Sequence, residues 1–141
     1  MPKLPKRKIG LISCSGEELP EGTVTRSAVR RVLETLRPND TVTLCLPLFL
    51  AGGEGERAFA RHYPTIAVDG CSKRCAALAT EKYSAMPAAS IVVSEIGEEK
   101  TCAGIGTARR LNEAGLRLAE TVAGKIAEET DRLLKKKPRG R

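Results

Sequence analysis

Four short runs of strand-forming residues alternate along this chain with segments of helical period, and that alternation allows few folds. The runs are Ile9-Gly-Leu-Ile-Ser13, Thr41 to Leu46, Thr65 to Val68 and Ser90 to Ser94. Each is rich in β-branched or other apolar residues and is bounded by polar, proline- or glycine-containing turns, the pattern of a short buried strand. Between the first two, Val24, Ala28, Val29, Val32, Leu33 and Leu36 share one face of a helix whose other face carries Arg26, Arg30, Arg31 and Glu34. Thr23 is the expected N-cap, and Pro38-Asn39-Asp40 the expected stop. A loop over Pro47 to Gly53 leads to a short helix over Glu54 to His62. Another helix is expected over Ser72 to Tyr83, and a long one over Thr107 to Leu134. The long helix has an apolar stripe of Leu111, Gly115, Leu118, Val122, Ile126 and Leu133.

Strands separated by helices in this order predict an α/β fold: a three-layer sandwich around a mainly parallel, Rossmann-like sheet of about four strands. At 141 residues the chain is one domain with room for a real core. The expected division is a basic tail over 1–8, the α/β body over 9–134 and a second basic tail over 135–141.

The charge follows that division. The net charge is +7, but residues 1–8 hold four Lys/Arg and 135–141 hold five, with no acidic residue in either stretch. Taking those nine from the 24 basic residues leaves 15 against 17 acidic ones, so the body is faintly acidic. Non-specific phosphate contacts by the tails are the extent of nucleic-acid binding expected. With no Trp, two Phe and two Tyr, the body offers no platform for stacking bases. The longest apolar run, Leu44 to Ala51, contains a proline and falls far short of the ~20 residues that span a bilayer. Ile9 to Ile12 is too short for a signal-peptide core. The reading is a cytoplasmic protein without a membrane partner, whose cysteines serve as ligands or reactive thiols rather than disulfides.

Those cysteines are placed where the fold would make use of them. Cys14 follows the first strand, Cys45 lies near the end of the second, and Cys71 follows the third. Cys75 comes four residues after Cys71, on the same helix face if the helix begins at Ser72. In an open α/β sheet the carboxyl ends of the strands share one crevice, so four sulfurs from distant parts of the chain would converge there. Four thiolates suit zinc, with iron, cuprous copper or a small iron–sulfur cluster as the other soft occupants. Lys73 and Arg74 would offset the negative charge of such a site. Asp69 and Glu95, at the ends of the third and fourth strands, face the same crevice as supporting carboxylates, metal ligands or general bases, although Asp69 is equally suited to capping a helix. Cys102, in the charged, glycine-rich loop from Glu95 to Gly106, is either a fifth sulfur near the site or a bystander. Against all of this stands the ordinary reading of a free cysteine as a small buried hydrophobe, strongest for Cys45.

Other chemistries fit less well. His62 is the only histidine and precedes the third strand, at the opposite edge of the sheet. That disfavours a mixed Cys/His metal site or a Cys–His nucleophile pair. Low-molecular-weight phosphatase chemistry needs an arginine six residues after its cysteine; Pro20 stands there for Cys14 and Ala77 for Cys71. Gly104 and Gly106 do not complete a dinucleotide fingerprint.

The order of these residues resembles the DGC-domain family. It is named for the motif standing here as Asp69-Gly70-Cys71, followed by Cys75 and preceded by Cys14-Ser15-Gly16 and Cys45. The Glu98-Glu99-Lys100 stretch belongs to the same resemblance, which spans residues 9 to 103. Members are described as zinc binders through four cysteines, which implies Cys14, Cys45, Cys71 and Cys75 here; the resemblance implies no activity. The first loop, Glu17 to Thr25, departs from many relatives in being acidic and proline-containing. The expected role is therefore metal binding, sensing or carriage, with the protein partner unspecified. The rivals are a thiol- or metal-dependent enzyme using Cys71 or Cys14 with help from Asp69, a Cys71/Cys75 redox sensor, and a nucleic-acid accessory protein acting through the tails.

Overall fold

The computed structural model describes residues 7–14, 18–96 and 104–136. Strands β1 (Ile9–Ser13), β2 (Thr41–Thr43), β3 (Thr65–Asp69) and β4 (Ala89–Val92) form one sheet in the order β2-β1-β3-β4. Every pairing is parallel. Helix α1 is Pro20–Arg31, α2 Leu46–Leu50, α3 Glu54–His62, α4 Cys75–Tyr83 and α5 Glu113–Lys135.

Side-chain alternation divides the core into two layers. Ile9, Leu11, Ile66 and Val68 face α1 and α5, where they pack with Val24, Ala28, Val32, Val122 and Ile126. Ile12 and Ala67 face the other way, onto Phe49 of α2, Phe59 of α3, and Ala76 and Ala77 of α4. The central strands are buried on both faces, so they read as continuous apolar runs. Gly10 is required by the second layer: a Cβ there would lie 2.3 Å from Cε1 of Phe59, so the α3 ring rests directly on the β1 backbone.

The strand order fixes where the fold opens. The chain leaves β1 for β2 on one side, then crosses back over β1 to β3 on the other. Neighbouring strands β1 and β3 therefore send their following helices, α1 and α4, to opposite faces. The crevice outside their carboxyl ends is a topological switch point, the customary binding place of such sheets.

Several expected boundaries move. Helix α1 begins at Pro20, not after a Thr23 cap, because proline at the first helical position supplies the right φ and lacks only an amide with no partner there anyway. Thr23 instead donates its hydroxyl to the carbonyl of Ala108. The helix closes through a π-helical stretch, Val32–Leu36, after which Arg37 clamps Asp131 of α5 through two hydrogen bonds of 2.8 and 2.7 Å. Strand β2 stops at Thr43 rather than running to Leu46, and part of the expected loop is helix α2. At the sheet edge β2 has only β1 to pair with, and Pro47, which cannot donate to a ladder, fits the first turn of a helix. Helix α4 begins at Cys75, three residues later than expected, after Arg74 turns through a left-handed conformation with φ 53°. Strand β4 ends at Val92 in a 3-10 turn, Val93–Glu95. Helix α5 begins at Glu113, because Asn112 accepts the amide of Gly115 and caps it there. Leu111, expected on its apolar stripe, instead pairs with Gly106 in an isolated bridge.

Candidate metal centre at the sheet switch point

The crevice begins where β1 and β3 run out together. The last rung pairs Ser13 with Val68, and the amide of Cys14 continues the ladder to the Val68 carbonyl at 3.0 Å. Cys14 is thereby held beside Asp69 and Gly70. Its Sγ accepts the Gly70 amide at 3.4 Å and lies 3.6 Å from the hydroxyl of Thr25 in α1.

Each residue of the Asp69-Gly70-Cys71 motif has a separate physical task. Asp69 is 1 % exposed, and its two carboxylate oxygens accept the amides of Ala76 at 2.7 Å and Ala77 at 3.1 Å. It reaches over the intervening turn to cap α4, the ordinary alternative to a supporting role at a metal. Burial outweighs those two hydrogen bonds and the positive charge of Arg74, and holds the carboxyl above its usual pKa. Gly70 lies against the start of α1: a Cβ would stand 2.7 Å from the amide nitrogen of Gly22 and 2.9 Å from the carbonyl carbon of Glu21. Both are backbone atoms, so only glycine fits. Its amide serves Cys14, and its carbonyl accepts from Ser94 at 3.1 Å, tying the turn after β4 to the crevice. Cys71 opens the turn that Arg74 closes, with the Arg74 amide on the Cys71 carbonyl at 3.1 Å.

Burial pushes the Cys14 thiol above its usual pKa. The hydrogen bonds from Thr25 and Gly70 act against that, while the charges of Asp69 and Cys75 add to it. Cys75 stands at the first position of α4. A cation entering here would meet a thiol that resists ionising on its own, so its binding would be coupled to proton release.

Cys14 and Cys71 are half-buried, Cys45 and Cys75 are exposed, and all four are free thiols. Cys45 is not inside a strand; it stands at the N-cap of α2, where its carbonyl accepts the Phe49 amide at 3.0 Å. Because α4 starts at Cys75, Cys71 and Cys75 do not share a helix face. Among the described residues no three His, Cys, Asp or Glu side chains are grouped so as to hold a metal ion. The donor chemistry of the four thiols suits a soft metal, but the arrangement is open rather than a closed cage. Lys73 is exposed, as is Glu95 at the end of the 3-10 turn. Cys102, the Ser15-Gly16 pair and the Glu98-Glu99-Lys100 stretch lie outside the described residues. His62 ends α3, ahead of β3 and away from the crevice.

The family model of the DGC domain matches residues 10–115. The chain belongs to the DGC-domain family. The match begins in β1, takes in Cys14, Cys45, Cys71 and Cys75 and extends past the expected limit at residue 103 into the first turn of α5. The chain has no significant match among curated proteins or among solved structures.

Thr25 is the site residue that sequence reasoning passed over. It lies among Val24, Ala28 and Val29 on the buried side of α1 and is itself fully buried, yet carries a hydroxyl. A polar residue at such a position is the available signal, because its hydroxyl must find a partner. Among the described residues no helix is long and apolar enough to cross a membrane.

Proposed function

We propose that this DGC-domain protein binds a soft metal ion, zinc first, at the switch point between β1 and β3, for sensing or carriage rather than catalysis. Cys14, Cys45, Cys71 and Cys75 would hold the ion. The observation that carries the reading is the placement of Cys14, at the end of β1, beside the Asp69-Gly70-Cys71 turn that follows β3, with the Gly70 amide on Cys14 Sγ at 3.4 Å. Bound zinc would supply a positive charge that offsets the mutual repulsion of the thiolates. The chain's own residues supply the rest. Asp69 holds the start of α4, Gly70 lets β3 approach α1, and the short turn from Cys71 to Arg74 carries two of the sulfurs. An open arrangement with two exposed thiols favours uptake and release over a permanent structural role.

The test is metal analysis by mass spectrometry of protein purified under anaerobic conditions, beside a Cys71→Ser/Cys75→Ser variant. About one zinc per chain, lost in a variant that stays folded, is the expected result. Iron or copper in its place would keep the site and change its cargo. Protein free of metal, taking up none on titration, would overturn the reading.

A further inference from the structure

The hydroxyl of Thr25 is completely buried, and its oxygen lies beside two carbonyls and a thiol. It lies 2.6 Å from the carbonyl of Gly22, 3.3 Å from the carbonyl of Cys14 and 3.6 Å from Cys14 Sγ. Its one proton is shared between the two carbonyls while the thiol carries its own, and a sulfur that has lost its proton becomes a third acceptor. The short contact to Gly22 is the bond that threonine in a helix makes to a carbonyl one turn back. By itself that bond needs no sulfur beside it. The same Gly22, however, forms the floor against which Gly70 packs, and the Gly70 amide is the other polar group on Cys14 Sγ. Thr25, Gly22, Gly70 and Cys14 thus close a small ring joining the start of α1 to the end of β3, with the sulfur as its one chemically reactive member.

From this ring we infer that Thr25 is a positioning residue for the metal site, holding Cys14 Sγ against the Gly70 amide so that the sulfur is already placed when an ion arrives. The inference rests on the metal-binding reading for its purpose and on the hydrogen-bond geometry for its content. Metal ligands such as histidine and carboxylate depend on hydrogen-bond partners for orientation, and losing one typically weakens binding about 10- to 100-fold, the scale applied here to a sulfur ligand. Thr25 is suited to this work because its donor is sealed from water, and because it can turn its proton from Gly22 towards a sulfur that has none. Valine has nearly the same shape and no hydroxyl; serine keeps the hydroxyl and loses a methyl group.

The test compares Thr25→Val with Thr25→Ser by two measurements. One is zinc affinity by competition with a chromophoric chelator. The other is hydrogen exchange of the Gly70 amide in metal-free protein, referred to the β1 amides of Leu11 and Ile12. Thr25→Val should lose at least about tenfold in zinc affinity, with Gly70 exchanging selectively faster, while Thr25→Ser should stay within about threefold of wild type. A role confined to bracing α1 would lower overall stability and speed Gly70 and the β1 amides together, leaving affinity unchanged; that result overturns the inference. So would a loss of affinity that serine fails to restore. If the wild-type chain takes up no zinc, the metal reading falls separately, and the Gly70 amide alone decides: unchanged protection in Thr25→Val then refutes the positioning role. Should valine prevent folding, Thr25→Ala removes the same hydroxyl at smaller volume and carries the same comparison.

Discussion

The two faces of the sheet are covered to very different depths. On one, α1 and the 23-residue α5 bury a continuous aliphatic layer from Ile9 through Val24, Val32 and Val122 to Ile126. On the other, three short helices cover a smaller cluster built around Phe49 and Phe59, and leave Leu48, Leu50 and Leu78 about half exposed. The cysteines follow this difference. Cys45, Cys71 and Cys75 come from the loops and helix starts of the thin layer, and Cys14 packs partly against the thin-layer cluster. The thick layer buries more aliphatic surface, and the thin one is the more open at its edge.

That comparison is sharpest when each layer is cut separately. Ile126 is fully buried in the thick layer, and Ile126→Ala should cost about 3 kcal/mol, read as a lower urea midpoint for the whole domain. Leu78, 56 % exposed on the outer side of α4, should cost no more than about 0.5 kcal/mol on the same substitution. Equal losses at the two positions would refute the contrast.

A medium effect is expected at Asp69. Replacing it with alanine leaves the amides of Ala76 and Ala77 without their acceptor, at a cost of about 1–2 kcal/mol. Because the lesion is at the start of α4, hydrogen exchange should quicken there first and leave the α5 amides slow. Uniform acceleration across both helices would mean that the two layers do not open independently.

The smallest effect belongs to the pair joining the π-helical end of α1 to α5. The two hydrogen bonds from Arg37 hold the Asp131 carboxyl below its usual pKa. Both side chains are partly exposed, 32 % and 43 %, so a double-mutant cycle should return only about 0.5 kcal/mol. A lowered carboxylate pKa means that the native state gives up this proton more readily than the unfolded chain. The contribution is therefore fully present above the unfolded carboxylate pKa and disappears as pH falls through the lower, folded value. A coupling that persists in acid, or resists added salt, would contradict the assignment.

How much of this was legible in the sequence differs between the layers for physical reasons. β1 and α3 stand where the sequence pattern places them, because each is bounded by strong breakers. The start of α1 was missed because Thr23 looks like a cap while Pro20 looks like a loop residue; proline at a first helical position reverses that ordering. The run from Thr41 to Leu46 gives no sign of where an edge strand loses its only neighbour, so Cys45 was placed inside a strand it does not occupy. The convergence of Cys14 with the Asp69-Gly70-Cys71 turn was readable, since parallel strands bring their ends to one side. The tasks of Asp69 and Gly70 were not, because one is a cap acting across seven residues and the other a clearance against a backbone 48 residues away.

The crossing of the chain between β1 and β3 has a consequence for timing. Cys14 is tied to α1 through the hydroxyl of Thr25, whereas Cys75 belongs to the first turn of α4 in the thinner layer. A guest bridging them would leave when α4 lifts, long before the domain unfolds. Its dwell time would track the fraying of one nine-residue helix rather than the melting temperature of the protein. Evolution could then lengthen or shorten that dwell at the first turn of α4 without disturbing the layer that keeps the molecule folded.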